Sequence, residues 1–161
     1  MPRCRIGKPR RRCSLTRPRL LEGLPHPAFE RQLFERERQR VDRVQNLHGS
    51  MFYAEPLDVA PALLQSVVDI VNDAASFLPR EPGLVWMCGG FHADFAVECL
   101  DDRQILLCFG CGEARLVTGL AHDLVDLAPD AEERLRTLLG GVRQFRPPQQ
   151  FDDPVDLDSG P

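Results

Sequence analysis

Four residues in this chain have the types and spacing for shared chemistry: Cys88, His92, Cys108 and Cys111. Cys108-Phe109-Gly110-Cys111-Gly112 has the C-x-x-C-G form of a zinc knuckle. That spacing lets two thiolates reach one ion at Zn–S distances of ~2.3 Å, and the trailing glycine permits the tight turn. Cys88 and His92 would supply the other pair, giving a Cys₃His metal site with zinc as its cofactor. One feature opposes it. Cys88 and Cys108 fall on the first and third of the expected strands, so the turns must curl across two steps of ~4.8 Å. The plainer alternative is that Cys88 and Cys108 are small buried hydrophobes and His92 a surface residue.

A second chemistry is thiol redox, or redox sensing, at the Cys108/Cys111 pair. Redox C-x-x-C pairs usually open a helix, whose dipole favours the thiolate. Here the second cysteine leads into a strand-like segment and Glu113 lies close by, which disfavours the thiolate. Acid–base chemistry has less support. His92, Asp94 and Glu98 share one strand face and read as a solvated surface, and His122-Asp123 reads as a loop pair. The chain has no G-x-S-x-G, G-x-G-x-x-G or G-x₄-G-K-[ST] motif, hence no case for a serine hydrolase or a nucleotide binder. We expect no catalytic residues and lean toward a non-enzyme.

CGGFHADFAVEC followed by ILLCFGCGEARL resembles a signature of small bacterial proteins built on a domain of unknown function. Their pattern is a cysteine, then Phe-His-Pro-Asp or a variant, an alternating strand, and Cys-Phe-x-Cys. The resemblance covers roughly residues 55 to 140, with Ala93 where the pattern has proline. It implies kinship and no particular activity. Similar proteins do not always keep all of these cysteines, which argues against an obligatory metal site.

The elements that must position these residues are read from periodicity. Leu84–Cys88 is a short apolar run, Gly89-Gly90 a hairpin turn, and Phe91–Cys99 an alternating strand. Asp101-Asp102-Arg103 is a polar turn, Gln104–Phe109 a central strand, Gly110–Gly112 a break, and Glu113–Thr118 a fourth strand. Short connections predict a four-stranded antiparallel meander. Cys88, His92, Cys108 and Cys111 then share one sheet end, and Cys99 lies at the other on the inward face. Ala60–Leu78 reads as a helix with Pro61 at its first position and one wide apolar face. Gly119–Ala128 reads as a connector, and a shorter helix starts at Pro129.

The expected fold class is α+β: helix, four-stranded antiparallel meander, helix, with disordered extensions at both ends. Residues 1–26 read as a disordered Arg-rich extension, 27–50 as a charged helix and linker, 51–146 as the α+β domain, and 147–161 as a disordered acidic tail. The 161 residues carry a formal net charge of -4. Residues 1–50 hold 13 Lys+Arg against 5 Asp+Glu, and the remainder 7 against 19. The arginines lack interleaved aromatic residues, so nucleic-acid binding is not expected. No apolar run approaches membrane-spanning length. Six cysteines without a secretory leader predict reduced thiols in the cytoplasm.

The expectation for function is a small non-enzymatic structural or interaction module, zinc-stabilised, with a protein partner. Part of the outer sheet face, through Val85 or Met87, Leu106 and Val117, is where that partner is expected. The alternative is a thiol redox protein or sensor.

Overall fold

The computed structural model describes residues 17–81, 83 and 90–147. In chain order its elements are β1 (Arg19–Glu22), α1 (Arg31–Arg38), β2 (Val44–Leu47), β3 (Ser50–Tyr53), α2 (Pro61–Asn72), β4 (Phe77–Leu78), β5 (Phe95–Glu98), β6 (Arg103–Cys108), β7 (Glu113–Thr118), β8 (Ala121–Leu127) and α3 (Pro129–Leu139). Six strands form one antiparallel sheet in the order β1-β5-β6-β7-β8-β4, and β2 and β3 form a separate hairpin.

The fold class is α+β with an antiparallel sheet, as the sequence predicts, but the sheet is larger than a four-stranded meander. The run β5-β6-β7 is the expected one. The strand expected over Leu84–Cys88 and the turn residue Gly89 lie outside the described residues. The edge of β5 where that strand was expected is taken by β1, which pairs Leu20 with Val97 and Leu21 with Ala96. Residues 19–24, expected within a disordered leader, are therefore part of the core. Leu20, Leu21 and Leu24 are all buried. Burial of each apolar side chain stabilises by roughly 1.5–3 kcal/mol, comparable with the ~1–2 kcal/mol cost of ordering each residue. The Arg19–Glu98 pair, with Nε to Oε2 at 2.8 Å, adds to the favourable side.

The charged helix expected within residues 27–50 shrinks to α1. Its Glu- and Arg-rich sequence has helix propensity but almost no apolar face to hold it. The chain turns instead into the β2–β3 hairpin. His48 (φ 51) and Gly49 (φ 87) form its two-residue turn, both left-handed as such hairpins require. Phe52 of β3, fully buried, packs with Leu21, Ala96, Leu106 and Val117. The outer face expected to stay open for a partner is thus covered by the chain's own hairpin, which overturns that part of the interaction reading. Val85 and Met87 are outside the described residues.

On the opposite face α2 and α3 pack against Leu20, Phe95, Val97, Ile105, Leu107 and Leu127. Pro61 starts α2 as predicted, but the helix stops at Asn72 rather than Leu78. The Asp73 carboxylate accepts the Ala75 N–H at 2.9 Å, and the Ser76 hydroxyl donates to the Ile70 carbonyl at 2.7 Å. These local bonds replace the helix ladder with a 3-10 turn, freeing Phe77 and Leu78 to form β4. The expected connector over 119–128 is mostly strand β8, paired with β7 along its length. Pro129 begins α3, and Leu135 and Leu139 are buried from it.

Gly23 fastens the end of β1 to the segment leading into β5. Its N–H donates to the Asp94 carbonyl at 2.8 Å. A Cβ there would lie 2.0 Å from the Ala93 carbonyl oxygen, so only glycine permits this approach.

Candidate functional site

The last residue of β6, Cys108, is 1% exposed. Its strand partner across the β6–β7 turn is Glu113. Between them Gly112 (φ 65) takes the left-handed conformation, and the tight turn brings the Gly110 and Cys111 backbone N–H groups onto the Cys108 sulfur. A third N–H, from His92, reaches the same sulfur from the segment leading into β5. Convergent main-chain amides of this kind form an anion-binding concavity suited to a thiolate. Burial still dominates and pushes the Cys108 thiol up from its ordinary value; the three amides oppose it and the Asp94 carboxylate adds to it. Cys108 is a free thiol.

His92 is buried beside it. Its ring hydrogen-bonds the Leu24 carbonyl, while Nε2 is buried without a hydrogen-bond partner. The donor to Leu24 is therefore Nδ1. Burial pushes the His92 pKa down; Asp94 opposes the shift, and His26 reinforces it. The His26 and His92 rings lie 4.7 Å apart at 60°. His26 Nδ1 accepts the N–H groups of Ala28 and Phe29 at 3.0 and 3.2 Å, shaping the loop after β1.

Cys111, half-buried, is disulfide-bonded. Cys99 and Cys108 are free thiols. The Cys111 disulfide corrects the expectation that every thiol is reduced. Cys88 also lies outside the described residues. Of the four expected ligands, then, His92, Cys108 and Cys111 come to one sheet end. Among the described residues no group of three or more His, Cys, Asp or Glu side chains gathers to hold a metal. Cys99 is at the opposite end on the helix face, as expected.

The other candidates separate. The Asp94 carboxylate accepts the Phe109 N–H at 2.8 Å and Arg143 Nη2 at 3.0 Å, fastening the start of β5 to the β6–β7 turn and to the segment after α3. Glu98 is held at the far end of β5 by Arg19 and by Gln104 Nε2 at 2.9 Å, so His92, Asp94 and Glu98 form no shared site. His122 and Asp123 are neighbours in β8 with side chains on opposite faces, which rules out a dyad.

Sequence reasoning placed Glu113 near the cysteine pair but missed its burial, and it missed Glu22 altogether. Glu113 is buried, paired with Arg80 at 3.3 Å and opposite Asp126 on β8. Burial, with Asp126, pushes its carboxyl up despite Arg80. Glu22 is fully buried, and its carboxylate accepts three successive backbone N–H groups, from Gln144 and Phe145 (2.8 and 2.9 Å) and Arg146 (3.2 Å). The only signal for Glu22 was an acidic residue inside an Arg-rich stretch.

No family model matches the chain, and neither a curated protein nor a solved structure is similar to it. Among the described residues no helix is long and apolar enough to cross a membrane.

Proposed function

We propose that the chain is a non-enzymatic structural or interaction module stabilised by zinc at the His92–Cys108 end of the sheet. Cys111 and Cys88 complete the set once the Cys111 disulfide is reduced. One observation carries this reading. The His92 ring gives its Nδ1 proton to a main-chain carbonyl and leaves Nε2 buried and unpaired, the arrangement that orients a metal-binding imidazole. An unpaired buried ring nitrogen costs stability unless something binds it. The amide cradle at Cys108 supports the same reading, because it suits a thiolate better than a thiol. A reducing compartment, the cytoplasm, belongs to this proposal, since it keeps ligand thiols available. Kinship with the bacterial group named above is likewise proposed, on the same two sequence stretches.

The test is elemental analysis of the reduced full-length protein beside His92→Ala and Cys108→Ser. We expect about one zinc per chain in the parent, as a four-ligand structural site holds, and loss of it in both variants. A metal-free parent, reduced and zinc-supplied, would end the proposal.

A second reading has its own observation. Cys108 is a free thiol three residues from a disulfide-bonded Cys111, so a thiol redox protein or sensor would exchange the bond between them. Burial of Cys108 slows this by keeping its thiolate scarce. Ready formation of a Cys108–Cys111 disulfide in mild redox buffer would favour that reading over zinc.

A further inference from the structure

Among the described residues nothing pairs with the outer side of β8 over Ala121–Val125. β4 covers that side only at Asp126 and Leu127. The Leu127 N–H donates to the Gly112 carbonyl at 2.8 Å, so the backbone groups of Leu127 point toward β7. Direction alternates along an antiparallel strand. The N–H and C=O groups of Leu124 and His122 therefore point outward, two donors and two acceptors on an unpaired sheet edge.

The edge borders a cavity of about 420 Å³ on the helix face of the sheet. Val71, Phe77, Ile105 and Leu116 give it apolar walls, and Ala121 and Asp123 form its rim on β8. Leu120, in the β7–β8 turn, is fully exposed at one end of the gap, and Leu78 of β4 is exposed at the other. The cavity's cation is already engaged: Arg103 donates to Asp101 at 2.6 Å and to Asn72 at 2.8 Å. Asp123, exposed on the rim, is the charge left for a partner.

We propose that Ala121–Val125 is the docking edge for an extended segment of another protein. The segment carries a basic residue opposite Asp123 and, two positions along, an apolar side chain that enters the cavity. A second copy of this chain fits less well. Antiparallel self-pairing clear of β4 centres on Asp123 and sets it against the Asp123 of the other copy, a repulsive cross-strand pair. The same charge guards a short open edge against indiscriminate pairing, so a partner must bring the opposite sign. This inference rests on the interaction-module reading and supplies its surface and partner class.

The test is selection of a displayed random decapeptide library on the full-length protein, repeated on Leu124→Pro. Proline at this position removes one outward donor and none of the β7 ladder, a substitution that edge strands accept. Circular dichroism and thermal unfolding check that the variant keeps its fold. We expect enriched peptides with a basic residue and a large apolar residue two apart. Their synthetic consensus should bind Leu124→Pro about tenfold more weakly or worse. It should also lose binding to Asp123→Lys, and when its own backbone amides are N-methylated at alternate positions. Peptides that bind parent and Leu124→Pro equally would overturn the edge and leave the module reading standing. No enrichment at all would overturn both.

Discussion

The backbone N–H of His92 donates to the sulfur of Cys108, tying the approach to β5 to the last residue of β6. The bond joins a main-chain donor to a side-chain acceptor, so the two ways of removing that acceptor differ in consequence. Cys108→Ala leaves three amides facing a void, at roughly 1–3 kcal/mol for each buried group left unpaired. Cys108→Ser restores an acceptor on a shorter reach. We expect urea denaturation to rank the variants parent, Ser, Ala in falling stability. An alanine variant as stable as serine would mean that the amides find other partners.

Gly23 gives a second prediction. A methyl group there meets the Ala93 carbonyl oxygen at 2.0 Å, and backbone on both sides leaves no flexible tip to move aside. Gly23→Ala should lower stability by roughly 1–3 kcal/mol, the usual cost of overpacking. Gly141→Ala is the control, because nothing lies within 4 Å of its added carbon. Equal midpoints for the two variants would contradict the close approach.

Tyr53 is the only tyrosine in the chain, so absorbance of its phenolate reports one group. Burial, then the Glu37 carboxylate that accepts its hydroxyl at 3.1 Å, holds its pKa above the ordinary value. The folded pKa lies above the unfolded one. The resulting stability is full below the ordinary tyrosine pKa of about 10 and is lost as pH rises past it. We expect the phenolate signal to appear only above that pH, together with loss of the fold, and to move to lower pH in Glu37→Gln. A titration at the ordinary value in the intact fold would refute this environment for Tyr53.

Glu22 is the anchor of the segment after α3. Replacing it with alanine removes the acceptor of three main-chain N–H groups and leaves Arg143 without a carboxylate 3.9 Å away. Bonds to a charged acceptor are worth roughly 1.5–3 kcal/mol each, so the loss should be measurable. Hydrogen exchange should quicken first at the amides of residues 144–146, with the β5–β7 amides protected as before. Uniform loss of protection would indicate instead that the segment is not separable from the core.

What the sequence disclosed depends on how local the cause is. Strands β5, β6 and β7 follow one another through short turns, and their alternation is readable residue by residue. The α2 face, with Val67, Ile70 and Val71, announces itself by spacing, and Pro129 marks the start of α3. β1 was unreadable because four residues amid arginines become a strand only through pairing with β5, with Arg19 opposite Glu98. The β2–β3 hairpin was hidden by the helix propensity of Glu and Arg just before it, although His48-Gly49 carried the turn. β8 reads as a connector because its first three residues are exposed and polar or small. The shared sheet end of His92, Cys108 and Cys111 was legible from turn alternation. The Leu24 carbonyl and the His26 ring that complete the surroundings of His92 were not, since both arrive with the unread β1.

The clasp of Glu22 on residues 144–146 spans more than 120 positions, and β1 must wait for β5, 79 residues further on at its Arg19–Glu98 pair. The β5–β7 ribbon closes only short loops and can form early, whereas seating β1 closes a loop of 79 residues and fastening Glu22 one of more than 120. Such long-range closure makes for slow folding.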